Sequence, residues 1–104
     1  MEILIYGTTD ISYLVASRLH HNHNITILHN PGELSEKFHN LDVSVVEGSG
    51  GDLAILEKIE AKKAELFIAS SAIDEANIVA CWTMKKIADT ETIRFDVAAG
   101  RILA

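Results

Sequence analysis

The chain is poor in several things. It has one cysteine, Cys81, among 104 residues. A lone cysteine excludes an internal disulfide and suits a reducing cytoplasm. There is no basic excess: nine Lys and Arg stand against fifteen Asp and Glu, a formal net charge of −6. Surplus cations are what hold phosphate-rich partners, so broad binding to nucleic acid or to anionic membrane is excluded. No apolar run approaches the roughly 20 residues that span a bilayer, so direct membrane insertion is not expected. No Lys or Arg precedes the first apolar run, as a secretory signal would require. Low-complexity segments, repeats and linkers are missing too.

What is present reads as one ordinary globular domain over residues 1–104, with 48% hydrophobic and 23% charged residues. A domain of this length buries roughly 60–70% of its unfolded surface, enough for a core without staples. Five short apolar runs predict strands: EILIY (2–6), ITIL (25–28), VSVV (43–46), LFIA (66–69) and TIRF (92–95). Four are nearly continuous, the pattern of parallel strands covered on both faces. Helices are predicted between them. Residues 10–21 place Ile11, Leu14, Val15 and Leu19 on one face. Residues 31–39 start with a capping Asn30, Pro31 at the first helical position and Glu33 reaching back to the cap. Residues 52–60 align Leu53, Leu56 and Ile59 behind Asp52 as cap. Residues 74–88 set Ile78, Cys81 and Trp82 at helical spacing, as core.

Alternation of this kind predicts an α/β fold, a doubly wound, Rossmann-like parallel sheet of about five strands in the order 3-2-1-4-5, with helices on both faces. Only DVAAGRILA follows the fifth strand. A six-stranded dinucleotide fold has a further helix and strand, so the domain reads as C-terminally incomplete. TIRF then becomes an outer strand with Ile93 and Phe95 on one face, and residues 97–104 are expected to dock onto a second copy.

The glycines of the dinucleotide fingerprint G-x-G-x-x-G are mostly absent. Their three places hold Gly7, Thr9 and Ser12 in YGTTDIS. Gly7 keeps the tight turn. Thr9 is β-branched where the backbone should approach phosphate, and Ser12 is small enough for close packing. The helix start at Thr8, Thr9, Asp10 and Ile11 offers free N–H groups and a partial positive charge, and the two threonines add hydroxyls. The Asp10 carboxylate opposes an anion there. Two readings stand: a nucleotide site, or a strand–helix turn capped by Thr9 or Asp10. The acid that should hold a ribose after the second strand is replaced by His29, which weighs against tight NAD binding.

Other segments have plainer explanations. HHNHN (20–24) reads as a polar turn at a helix end rather than a metal site. EGSGGD (47–52) reads as a flexible glycine-rich turn, with Gly48 and Ser49 bordering any ligand. SSAIDEAN (70–77) opens a helix capped by Ser71 or Asp74, at the sheet edge where such folds bind ligands. No Ser/His/Asp spacing, CxxC or HExxH is present, so no enzyme is indicated.

Taken in order, ILIYGTTDISYLVASRL, ITILHN, VVEGSGGDLAIL and FIASSAIDEANIVACWTMKKI resemble the TrkA-N, or RCK (KTN), domain, the N-terminal nucleotide-binding domain of Trk-type potassium-uptake proteins. The likeness runs over about residues 2–95. Its most specific part is DEANIVAC, where Asp74, Glu75, Asn77 and Cys81 stand in the places of the family's T-N-x-D-E-x-N run and helix, with Ser71 for the threonine and Ala72 for the asparagine. Val46 to Gly50 is similar to the family's V-x-G-D-A turn, with Ser49 in place of the acid, and Arg94 to its fifth-strand arginine. The resemblance implies a cytoplasmic regulatory domain, peripheral at the inner membrane face. It implies a homodimer or larger ring beneath a membrane potassium transporter, with NAD(H) or ATP/ADP as ligand. The departures at Thr9, His29 and Ser49 imply weak or altered binding, or none. A nucleotide-free interaction module and a fragment of an NAD-dependent oxidoreductase are the competing readings. The second lacks a catalytic Tyr-Lys or His pair.

Overall fold

The first strand dictates the architecture. Every residue of Ile3–Tyr6 is apolar or aromatic and every one is buried. Such a strand must be covered on both faces. In the computed structural model, which describes residues 1–33 and 35–104, β1 (Glu2–Tyr6) lies at the centre of the sheet. It pairs in parallel with β2 (Asn24–His29) on one side and with β4 (Leu66–Ala69) on the other. Outside these lie β3 (Ser44–Glu47) and β5 (Glu91–Asp96), also parallel. The order 3-2-1-4-5 is as predicted.

Strand alternation divides the core into two layers. Ile3, Ile5, Ile25, Ile27 and Ile68 face α1 (Asp10–Leu19) and Phe38. Leu4, Tyr6, Leu28, Phe67 and Ala69 face α2 (Leu53–Lys58) and α3 (Asp74–Ile87). Burying one such side chain contributes about 1.5–3 kcal/mol, so both layers are needed to offset the entropy of ordering the chain.

The helices present other faces than periodicity predicts. On α1 the fully buried residues are Ser12 and Ala16, while Ile11 and Leu14 are exposed and Val15 and Leu19 pack at the margin. On α3 the buried residues are Asn77, Ala80, Thr83 and Met84. Trp82 is 61% exposed, Ile78 is exposed, and Cys81 is half-buried against the core, so the expectation of a buried Ile78–Cys81–Trp82 stripe is overturned. The cause is common to both helices. Small residues let the helix axis approach the sheet, and hydrogen bonds satisfy the polar ones buried with them. Asn77 is completely buried and accepts from the Ser71 N–H (2.9 Å) and hydroxyl (2.8 Å), while its Nδ2 donates to the carbonyls of Ser71 (3.0 Å) and Phe95 (3.2 Å).

Two further expectations are corrected. The predicted helix over 31–39 is a turn at Pro31–Gly32, with Gly32 at φ +87°, followed by a short 3-10 helix at Glu36–Asn40; Leu34 lies outside the described residues. The Asn30–Glu33 capping bond forms regardless, the Asn30 N–H donating to Glu33 Oε1 at 2.8 Å. The tail does not leave β5 as an open edge. Residues Arg101–Leu103 form β6, antiparallel to β5, with Phe95 opposite Ile102. The Asp74 carboxylate holds the intervening turn, accepting the N–H groups of Val97 (2.6 Å) and Ala98 (3.0 Å). Asp74 therefore does not cap α3, whose N-cap is Ile73 with no side-chain bond, and Ser71 does not cap it either. Asp52 does cap α2, accepting the Ala54 N–H at 3.0 Å.

Candidate functional site at the carboxyl edge of the sheet

In the order 3-2-1-4-5-6 the chain reverses its winding between β1 and β4. Ligands of open α/β sheets bind outside the carboxyl ends of the strands at that point. The loop Gly7–Thr9 leaves β1 there and the loop Ser70–Ile73 leaves β4 beside it.

Gly7 is fixed by close approach. Its φ is +122°, and a Cβ on it would lie 2.6 Å from the Ser71 nitrogen and 2.7 Å from the Ser70 carbonyl. Thr9 caps α1, accepting the Ser12 N–H at 3.3 Å. Its hydroxyl donates to the Ser70 carbonyl at 2.7 Å. The Ser12 hydroxyl reaches the same carbonyl (3.2 Å) and the Ser70 hydroxyl (2.7 Å). The substitutions at the second and third glycine places therefore tie the β1 loop to the β4 loop. Thr9 is the cap that one sequence reading required.

The capped turn still leaves donors. The backbone N–H groups of Thr8, Thr9, Asp10 and Ile11 find no acceptor among the described residues. Those of Thr9, Asp10 and Ile11 are free donors of a helix start, at its positive end, and that of Thr8 just precedes the cap. The Asp10 carboxylate is fully exposed and pairs with Lys37 Nζ at 3.1 Å, which brings a cation to the same place. The Thr8 hydroxyl donates to Glu33 Oε2 at 3.2 Å. Sequence reasoning missed both Glu33 and Lys37 here. Glu33 carried a capping signal, but nothing in the sequence linked it to Thr8, 25 positions away. Lys37 carried no signal at all.

The remaining candidates are dispersed along the edge. His29 is only 9% exposed, and its Nδ1 donates to the Asn30 carbonyl at 3.0 Å, so little of the ring is open to a ligand. Gly48 is buried, its N–H bonded to the His29 carbonyl at 2.8 Å, and Ser49 is exposed with its hydroxyl accepting the Gly51 N–H. Within the EGSGGD turn Gly50 is buried and closely packed: a Cβ on it would meet the Tyr6 ring at 2.9 Å and Ala80 at 3.0 Å. The Ser71 hydroxyl is engaged with Asn77. Arg94 stands apart from the Gly7 loop. It lines a 180 Å³ groove with Cys81, Trp82, Lys85, Thr92 and Leu103. Burial pushes the Cys81 thiol up, against the opposing pull of Arg94 and Lys85. Arg94 and the Gly7 loop are thus separate places.

A reversal point with a strand–loop–helix start is the site of a Rossmann-type binding domain. The family is now identifiable. The TrkA-N domain model matches residues 3–99, and the chain belongs to that family. Trk system potassium uptake protein trkA homolog 1 of Methanosarcina mazei is 34% identical over 100 residues, covering 89% of this chain and 24% of its own length. The TrkA homolog of Archaeoglobus fulgidus is 28% identical over 87 residues, covering 84% of this chain and 20% of its own. The chain thus spans about a quarter of these curated relatives. Among solved structures, the Kef CTD of Shewanella denitrificans in AMP-bound form matches with a TM-score of 0.65 at 19% identity, over 88% of this chain and 57% of that one. At that identity the likeness shows the fold alone.

Proposed function

We propose that residues 1–104 are one nucleotide-sensing regulatory domain of a potassium-uptake system. The observation that carries this reading is the set of four unpartnered N–H groups, Thr8 to Ile11, at the reversal point of a TrkA-N fold. An anionic ligand placed there receives those donors, with Lys37 neutralising Asp10 beside it. The AMP-bound Kef domain and the TrkA relatives support an adenine nucleotide as ligand and potassium transport as the setting. NAD(H) is the weaker candidate, because Thr9 fills the place of the second glycine and His29 is buried.

The role is binding and relay, in line with membership of the TrkA-N family and its potassium-uptake relatives. The domain works in the cytoplasm at the inner membrane face, as a dimer or ring against a transporter. Exposed Ile78 and Trp82 on α3 and Ile102 on β6 offer apolar surface for such assembly. A nucleotide-free assembly module is the second reading, favoured by the engagement of Thr9, Ser12 and Ser70 with one another. Titration calorimetry with AMP, ADP, ATP, NAD and NADH separates the two. Saturable one-site heat with an adenine mononucleotide, tighter than with NADH, is expected. Absence of heat for all five at millimolar concentration leaves the assembly module.

A further inference from the structure

We infer that Glu33 is the carboxylate that reads the ribose of the bound nucleotide, in place of the residue at the end of β2. The inference rests on the nucleotide reading above and names the residue that sets its specificity. In dinucleotide folds an acid at the end of the second strand accepts bonds from the ribose hydroxyls. Here that position is His29, which is no carboxylate and is buried, with its Nδ1 committed to the Asn30 carbonyl.

A carboxylate nevertheless stands at the junction of the β2 end and the Gly7 loop. Glu33 Oε1 accepts the Asn30 N–H at 2.8 Å, and Asn30 is the first residue after β2. Glu33 Oε2 accepts the Thr8 hydroxyl at 3.2 Å, and Thr8 directly follows Gly7. The Pro31–Gly32 turn, with Gly32 at φ +87°, swings the side chain back to this place. Two anchors fix the carboxylate, yet each of its oxygens keeps a second acceptor site. A vicinal diol supplies two donors of matching spacing, and it can dock without breaking either anchor. No cation pairs with Glu33 among the described residues; the nearby Lys37 pairs with Asp10 instead. Glu33 is half-buried, so it remains open to a ligand. A phosphate in this arrangement goes to the N–H groups of Thr9, Asp10 and Ile11 further into the helix start, and the ribose lies back over Thr8 and Glu33.

The test is calorimetric titration of the wild-type chain, Glu33→Gln and Glu36→Gln with AMP, 2′-deoxy-AMP and 3′-deoxy-AMP. Glutamine keeps one oxygen to accept the Asn30 N–H, so the turn is retained, and circular dichroism melting checks it. A hydrogen bond to a charged acceptor predicts that the wild type prefers AMP to either deoxy ligand by roughly tenfold or more. Glu33→Gln should bring that ratio close to one, mainly by weakening AMP. Glu36→Gln, which removes an exposed neighbouring charge, should leave the ratio unchanged. A wild type that binds all three equally overturns the inference without needing any variant. So does a Glu33→Gln protein that binds all three more tightly by the same factor, since Glu33 would then repel the phosphate rather than read the sugar. Both of these results leave the nucleotide reading standing. A wild type that binds none of the three overturns that reading and this inference together.

Discussion

Gly7 and Thr9 show how single residues fix the loop between β1 and α1. Gly7 is the single fingerprint glycine that survives, and the geometry explains why. The β1 loop passes so close to Ser70 and Ser71 that no Cβ fits, and the φ of +122° is strained for any other residue. Gly7→Ala is predicted to destabilise the fold by at least about 1–3 kcal/mol from backbone strain alone. For a domain of this size that lowers Tm by roughly 10 °C. Gly100→Ala is the control: its φ is +66°, but nothing lies within 4 Å of a new Cβ, so the loss should stay near 1 kcal/mol. Equal losses at the two positions in thermal melts would show that contact with the β4 loop is not what fixes Gly7. Thr9 illustrates the converse. A β-branched residue is admissible at the second place because its hydroxyl is drawn inward to the Ser70 carbonyl.

At the level of elements, the strands were legible in the sequence and the helix faces were not. Continuous apolar runs such as Ile3–Ile5 point to burial on both sides, and their alternation with helical patterns points to the sheet order. Helix periodicity misled because bulky residues were assumed to point inward. Ser12, Ala16, Asn77 and Ala80 lie innermost instead, since close approach rewards small side chains and satisfied polar ones. The pairing of β6 was hidden for another reason: it depends on Asp74, 23 positions before the turn it holds. The same distance concealed Glu33 and Lys37 from a reading of the Gly7 loop. Asp74→Ala is therefore predicted to loosen the β5–β6 turn. It removes two acceptors from an exposed site, a loss of about 1–2 kcal/mol. Hydrogen exchange should accelerate at Val97, Ala98 and the amides of β6 while β1 stays protected. Unchanged exchange in the turn would show that the Gly100–Asp96 backbone bond holds it unaided.

At the scale of the whole molecule, the acidic balance is compatible with the proposed site, whose attraction for an anion comes from backbone N–H groups rather than from surplus cations. A net charge of −6 disfavours long polyanions, while the proposed mononucleotide would meet the N–H groups of the helix start, with Lys37 offsetting Asp10 beside them. Assembly belongs to this scale as well. Trp82 is the only tryptophan, it is 61% exposed, and the Lys86 ammonium lies 3.7 Å from its ring centroid. If α3 is an assembly surface, Trp82 emission should shift to the blue and resist acrylamide quenching as concentration rises through the micromolar range, in step with sedimentation. Assembly seen by sedimentation with unchanged emission would place the interface elsewhere. The central claim, that the carboxyl edge between β1 and β4 senses a nucleotide, is tested most directly by following backbone amides in a nuclear magnetic resonance titration with AMP. Saturable shifts concentrated at Thr8, Thr9, Asp10 and Ile11, with smaller ones at Asn30, are predicted. Unmoved amides at these positions up to millimolar AMP, in a folded protein, would contradict it.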